Sequence, residues 1–387
     1  MSEKSIILTS PGIENSLGHD KYSMIINNAL VEEGFKILPM KLKPDVDNNQ
    51  LESLAWGMVE TGKNSFSEHA RNPRKKNIFQ GLAGKVIDNL SGLVRTSLQF
   101  QELLTQSYRS QLSNFPDIPI ISSHYMSFVP NHPGIFLTPD IYLHEASYNM
   151  LTRCNSVELV VPQQPTLNSI HTRGNNLAER VISTQLPISR SLMQAVDQRI
   201  SRQESITKKE INTHNILVTI GASGPEIPEV LDTIQKILEN PTDKFGRDYK
   251  IHVLCGDQTK LYNKQFAEEL NCLKLRYDCQ FDFDIASNRD EELAQWYSAI
   301  GNPQYDTLIT RPNEMLTIAP ALGFRTILLK PFQKHEEYST RAGIIQKKCE
   351  SNIYPIRWLM DEQGKFAGFH RDCIAHNYQN PYFWCRV

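Results

Sequence analysis

The chain is 387 residues long, 40% hydrophobic and 22% charged, with a formal net charge of −2. That length suits two domains with enough apolar material for two cores, and the near-neutral balance argues against a general nucleic-acid binder. Seven cysteines scattered from Cys154 to Cys385 form no CxxC pair and no zinc spacing, which points to reduced thiols in a cytoplasmic setting and to no bound metal.

The opening residues MSEKSIILTS run almost directly into a strand, Ser5–Thr9, without the apolar core of a secretory signal. No apolar run approaches the roughly 20 residues of a membrane span. A loop with Gly12, Gly18 and His19 follows, then a helix over Tyr22–Glu33. Its apolar face is Ile25, Ile26, Ala29 and Leu30, and Gly34 is its stop. Phe35–Met40 is the next strand. This is βαβ order with a glycine-bearing first turn, but without the GxGxxG fingerprint of a conventional NAD site. His19 reads either as a capping or surface histidine or, from its place in the first strand–helix loop, as a site residue.

Gln50–Gln111 is the least regular stretch of the first half. It holds a basic run, Arg71-Asn72-Pro73-Arg74-Lys75-Lys76, then Ile78, Leu82, Val86, Leu90, Val94 and Leu98 at helical spacing. Two readings stay open for 71–98: a peripheral surface that meets anionic lipid or an acidic acceptor, or a helix packed on its own domain behind a solvated basic loop. Gly81, Gly84 and Gly92 weaken an isolated helix there.

Four closely spaced strands then complete a parallel sheet: Ile118–Ser122, Gly134–Thr138, Val157–Val161 and Val181–Leu186. Asp140 and His144 follow the second of them, just past a carboxyl strand end. A carboxylate there reads as a general base or as a helix N-cap. The polar, charged run Arg199–Asn215 reads as a linker.

Ile216–Ile220 restarts the pattern and leads into Gly221-Ala222-Ser223-Gly224-Pro225-Glu226 and a helix from about Ile227 to Leu238. Small residues in that turn let the backbone approach a ligand, and Ser223 adds a hydroxyl. Further strands and helices alternate: Tyr249–Cys255, Leu261–Leu270, Phe281–Ile285 and Glu291–Ile300. A final strand–helix–strand unit spans Tyr305–Tyr338. Thr307–Thr310 runs into Arg311-Pro312-Asn313-Glu314, and Thr326–Leu329 ends in Pro331 and the polar loop Gln333-Lys334-His335-Glu336-Glu337. Both carboxyl-end loops are rich in hydrogen-bonding groups, and free amides at a helix start favour an anion such as phosphate. The plain alternative is an ordinary crossover whose polar loops face water. The aromatic tail beyond Asp361 is expected to pack on the domains.

In this order the pieces resemble glycosyltransferases with two Rossmann-like domains (the GT-B fold), and among them the family of the peptidoglycan N-acetylglucosaminyltransferase and the monogalactosyldiacylglycerol synthases. Gly18-His19 is similar to the family's Gly-His loop near the acceptor. Ile135–His144 (IFLTPDIYLH) is similar to a strand ending in Thr-Asp with a histidine shortly after, although Pro139 intervenes here. Val160–Gln163 and Val181–Ser189 match the strands before the interdomain linker. ILVTIGASG is similar to the glycine loop that borders the donor diphosphate, and LKPFQKHEEY to the loop that contacts donor sugar hydroxyls. One departure stands out. Aligned on Gly323, the family's ribose-binding glutamate falls on Ile318, and Glu314 lies one helical turn earlier.

The resemblance implies an α/β chain with parallel sheets facing an interdomain cleft. Its acceptor-side domain would be 1–198, with a basic amphipathic insertion at about 63–111, followed by a linker at 199–215, a donor domain at 216–360 and a tail at 361–387. It implies a hexosyltransferase-type enzyme that moves a sugar from a UDP-sugar to an acceptor (small molecule, glycan, lipid or protein), with no cofactor and no metal. His19 and Asp140 would be catalytic, one of them accepting the acceptor proton. Gly221, Ser223, Gly224, Arg311, Asn313, Glu314, Gln333, His335, Glu336 and Glu337 would bind the donor. A nucleotide-sugar epimerase or hydrolase on the same fold, and a degenerate non-catalytic binding protein, remain as alternatives.

Overall fold

The computed structural model describes residues 5–10, 17–43, 50–57, 98–138, 143, 145–161, 164–173, 176–183, 192, 194–195, 197–199, 213–221, 224–242, 247–277, 281–312, 315, 319, 322, 324–330 and 353–355. The chain forms two compact units, Met1–Pro187 and Ile188–Val387.

The first unit is built on a six-stranded sheet: β1 (Ser5–Ser10), β2 (Lys36–Lys41), β3 (Ile120–Ser122), β4 (Gly134–Leu137), β5 (Val157–Val161) and β6 (Val181–Ser183). Every pairing is parallel, and the spatial order is β2-β1-β3-β4-β5-β6. A parallel sheet is covered on both faces, which is why β1 reads as an unbroken apolar run and Ile6, Ile7 and Leu8 are all buried. Pro39 is tolerated in β2 because β2 is an edge strand.

The first helix, Leu17–Glu32, starts earlier than its apolar pattern predicts. Tyr22, not Ala29, takes the deepest place on it, and Ala29 is exposed. Its end is the predicted one. The Phe35 N–H reaches the Leu30 carbonyl and the Gly34 N–H the Val31 carbonyl, each at 3.0 Å, with Gly34 at φ +80°. Two orphan carbonyls are thereby satisfied by a turn that only glycine enters without strain.

Residues 50–57 and the segments Leu98–Leu104 and Gln106–Leu112 are helical, where the sequence shows little regularity. The buried carboxylate of Glu52 accepts from the Ser107 N–H at 3.1 Å and so closes the start of the last of these. The basic run at 71–76 and the repeat from Ile78 to Val94 lie outside the described residues, as does the tail at 361–387.

The second unit carries β7 (Thr213–Thr219), β8 (Asp248–Asp257), β9 (Phe281–Ala286), β10 (Thr307–Thr310), β11 (Arg325–Leu328) and β12 (Ile353–Pro355). All are parallel, in the order β12-β11-β10-β7-β8-β9. The helix Ile227–Glu239 buries Ile227, Val230, Ile234 and Ile237 at helical spacing against this sheet's core. The helix Arg289–Gly301 is capped by Asn288, whose side chain accepts from the Glu291 N–H at 3.0 Å.

The boundary between the units differs from the composition-based expectation of 198. It falls at Pro187, and Arg199, read as the start of a solvated linker, is 1% exposed inside the second unit. Its guanidinium donates to the carbonyls of Leu322 (2.8 Å), Asn302 (2.6 Å) and Tyr305 (2.6 Å) and lies 3.9 Å from the centre of the Phe324 ring. The strand β7 also starts inside the expected linker. His214 is buried there, accepting from the Arg325 guanidinium at 3.0 Å beside the Thr307 hydroxyl. In both places backbone or side-chain partners meet the polar groups that composition assigns to solvent.

Arg199→Ala leaves three carbonyls without their donor, and each buried acceptor left unmet costs about 1–3 kcal/mol. The expected outcome is a loss of about 3 kcal/mol or more from the second unit, read by chemical denaturation of the full chain. Arg199→Lys should recover only part of it, because an ammonium lacks the planar fork that reaches three acceptors. Wild-type stability in Arg199→Ala would remove this residue from the packing of the unit.

Candidate functional site

Each sheet has one point where the chain reverses direction. In the first, β1 leads to β2 on one side while β3 lies on the other. In the second, β7 leads to β8 and β9 on one side while β10 and β11 lie on the other. Loops leaving two such strands diverge, and the gap at their carboxyl ends is where open α/β sheets take ligands.

At the reversal in the second unit, the ends of β7 and β10 are tied together by the Thr219 hydroxyl, which donates to the Thr310 hydroxyl at 2.9 Å in a buried place. The chain leaves β7 through Ile220 and Gly221 and leaves β10 through Arg311. These two exits meet. A Cβ placed on Gly221 would come 2.8 Å from Arg311 Nη1 and 3.1 Å from Glu226 Oε1, so the absent side chain is what admits both groups. Glu226, 5% exposed, turns back toward the loop, and its Oε1 accepts from the Gly221 N–H. Its Oε2 lies 3.7 Å from Arg311 Nη1. A main-chain amide, a guanidinium and a carboxylate thus converge at the start of the helix Ile227–Glu239.

Two amides of the expected cradle already have acceptors within the chain. The Gly221 N–H is committed to Glu226, and the Gly224 N–H to the Gly221 carbonyl at 3.0 Å. Gly224 is buried at φ +57°, and a Cβ there would meet Ile227 Cδ1 at 2.7 Å and Tyr262 Cδ2 at 2.9 Å. Its glycine is therefore needed for turn geometry and packing. Ser223 lies outside the described residues.

A second carboxylate stands on the same helix. Glu229 accepts from the Lys330 N–H at 3.0 and 3.1 Å through its two oxygens, at the exit of β11. Burial pushes its carboxyl above the ordinary glutamate range, an effect that the Lys330 N–H and ammonium oppose and that Glu226 and Asp232 reinforce.

The reversal in the first unit is lined by hydroxyls. Tyr108 Oη donates to the Ser127 carbonyl at 2.8 Å and lies 3.3 Å from Thr9 Oγ1. The Ser122 hydroxyl donates to the Thr9 carbonyl at 3.3 Å and accepts from the His124 N–H at 3.1 Å. Burial raises the Tyr108 hydroxyl well above its usual range, so it stays neutral. His124, at the exit of β3, is half-buried and stacks on Tyr125 with ring centres 5.1 Å apart.

The structure thus brings Gly221 and Arg311 together and places Gly224 behind them. His19 falls in the first turn of the helix Leu17–Glu32, and its side chain is not among the described groups. Asp140, Asn313, Glu314, Gln333, His335, Glu336 and Glu337 lie outside the described residues, as do Ile318 and Gly323. Two residues at the reversals, one in each unit, carry no role in the sequence reading. Glu226 resembles the acidic first-turn residue of any helix. His124 becomes notable only once strand order puts it at a reversal. Among the described residues, no group of three or more His, Cys, Asp or Glu side chains could hold a metal ion. No helix among them is long and apolar enough to cross a membrane.

No protein-family model matches the chain, and no curated protein sequence matches it. Solved structures do. MurG of Acinetobacter baumannii matches with a TM-score of 0.43 and 10% identity, over 91% of this chain and 85% of that one. The UDP-GlcNAc 2-epimerase of Neisseria meningitidis, bound to UDP-GlcNAc, matches with a TM-score of 0.46 and 12% identity over 89% and 90%. An alpha,alpha-trehalose-phosphate synthase (UDP-forming) of Burkholderia vietnamiensis matches with a TM-score of 0.44 and 10% identity over 90% and 89%. At TM-scores below one half these likenesses carry no chemistry across, and function rests on this chain's own residues.

Glu229 makes a pH prediction. Its folded pKa is raised, so the group's contribution to stability is fully present below the ordinary glutamate pKa and is lost as pH rises through the folded value. Glu229→Gln keeps one acceptor for the Lys330 N–H and removes the charge. The variant's melting temperature relative to wild type should be higher at pH 7 than at pH 4. A difference that is the same at both values would show that the carboxylate is not strained by burial.

Proposed function

We propose that the chain is a nucleotide-sugar enzyme of the GT-B type, a glycosyltransferase that moves a sugar from a UDP-sugar to an acceptor. The observation that carries this reading is the meeting of Gly221 and Arg311 across the reversal of the second sheet. These residues leave two different strands and lie 90 positions apart, yet they put an amide and a guanidinium at one point beside a helix start. That combination suits a diphosphate, because negative charge grows on the leaving diphosphate during sugar transfer and fixed positive groups there stabilise it. Arg311 would supply the charge that a metal supplies elsewhere, with Lys334 a further candidate. The ordered motifs from Gly18-His19 to LKPFQKHEEY support the same reading.

In this scheme Gln333, His335, Glu336 and Glu337 would hold sugar hydroxyls, Asn313 and Ser223 would complete the phosphate contacts, and Glu314 would serve the ribose in place of the residue that is Ile318 here. Asp140 or His19 would accept the acceptor proton. A second reading, a non-catalytic protein on the same fold, is favoured by one observation: the Glu226 carboxylate holds the Gly221 N–H where a phosphate oxygen would sit.

A panel of nucleoside diphosphates and their sugars separates the two, because a ligand that binds the folded state raises the melting temperature by mass action. The transferase reading predicts a shift with uridine diphosphate that Arg311→Ala abolishes. No shift with any nucleotide would favour the non-catalytic protein. For the acceptor side, Asp140→Ala should lower sugar transfer at least about a hundredfold while leaving the uridine diphosphate shift intact, the usual scale for a lost general base. Unchanged transfer in that variant would take Asp140 out of the mechanism.

A further inference from the structure

The carboxylate of Glu226 occupies the donors that an anionic ligand would use. Its Oε1 takes the Gly221 N–H, and its Oε2 faces the Arg311 guanidinium at 3.7 Å. The group is an anion on a main-chain amide at the start of a 13-residue helix, and phosphate oxygens settle on the same donors. It is also almost sealed: the Glu226 side chain is 2% exposed and that of Arg311 12% exposed. The Arg311 guanidinium therefore already faces a carboxylate before any ligand arrives. A diphosphate that arrived with Glu226 in place would find the amide taken and a like charge beside it. Two anions in contact within a poorly hydrated site repel strongly.

We propose that Glu226 is an internal stand-in for the ligand's anion, which holds the Gly221–Arg311 site closed and sets its affinity by competing with the diphosphate. Binding swings the carboxylate off the Gly221 N–H, and a phosphate oxygen takes its place against the amide and Arg311. The Gly221 position is what makes the exchange feasible, since any side chain there would collide with both partners. The inference rests on the donor-site reading above and goes beyond it by naming the group that the donor must displace.

The test is calorimetric titration of the full chain with pyrophosphate, in wild type, Glu226→Gln, Arg311→Gln and the double variant. Glu226→Gln retains an oxygen for the Gly221 N–H but removes the competing charge. It should bind pyrophosphate about tenfold or more tightly than wild type, the scale of one lost charge contact. Arg311→Gln should lose the binding in both backgrounds. A merely structural Glu226 would instead lower the melting temperature of Glu226→Gln and leave affinity unchanged. Equal, Arg311-dependent binding in wild type and Glu226→Gln would overturn the role of Glu226 while leaving the donor site standing. Binding in none of the four proteins would overturn both.

A measurement on wild type alone guards against misfolded variants. The chain has 19 glycines and only two follow an isoleucine, Gly221 and Gly301, so nitrogen-15 glycine paired with carbonyl-carbon-13 isoleucine narrows the wild-type amide spectrum to those two signals. Pyrophosphate should move the Gly221 signal as the carboxylate is exchanged for phosphate. A Gly221 signal that stays put at saturating pyrophosphate contradicts the exchange.

Discussion

The reversal of strand order between β7 and β10 is the constraint on which the rest of the second unit turns. Parallel strands must send their crossovers over one face or the other. Where the order reverses, neighbouring loops part instead of stacking. The Thr219–Thr310 hydroxyl bond keeps the two strand ends in register at that point. Gly221 then brings bare backbone to the place where Arg311 and Glu226 arrive. Nothing in the local sequence of either loop makes this meeting necessary. It follows from a six-stranded sheet wound outward in both directions from β7 and β10.

The sheets themselves are legible from the residues, for a physical reason. Strands covered on both faces show as short apolar runs, so Val157–Val161 and Thr307–Thr310 have the observed boundaries, the end expected at Leu186 lies outside the described residues, and the other expected strands differ by a few residues at their ends. The first helix ends at Gly34 because the C-terminal turn needs a positive φ. The boundary between the units was harder to see. The run Arg199–Asn215 is polar in composition, yet Arg199 feeds three carbonyls and His214 faces Arg325. Composition reports which groups need partners, not whether water supplies them. The strand Ile353–Pro355 was illegible for a related reason, since its proline is tolerated only because it lies on a sheet edge.

The site was half legible. Gly221 and Arg311 stand out as a glycine turn and a cation, each at a strand end. Glu226 does not, because an acidic residue at a helix start is common and favourable in its own right. Its significance lies in the direction its side chain takes, back onto the Gly221 N–H. A glycine-rich turn before a helix is often read as an empty seat for phosphate. Here the Gly221 and Gly224 amides of that turn are already satisfied from within the chain, and the two glycines serve different ends: Gly224 permits the turn, and Gly221 permits the approach of charge.

A crystal structure of the chain with uridine diphosphate bears most directly on the claim that this reversal is an anion site. The account predicts diphosphate oxygens within hydrogen-bonding distance of the Gly221 N–H and the Arg311 guanidinium, with the Glu226 carboxylate turned away. A nucleotide bound elsewhere, or one bound in the second unit with Glu226 still on the Gly221 N–H, would contradict it.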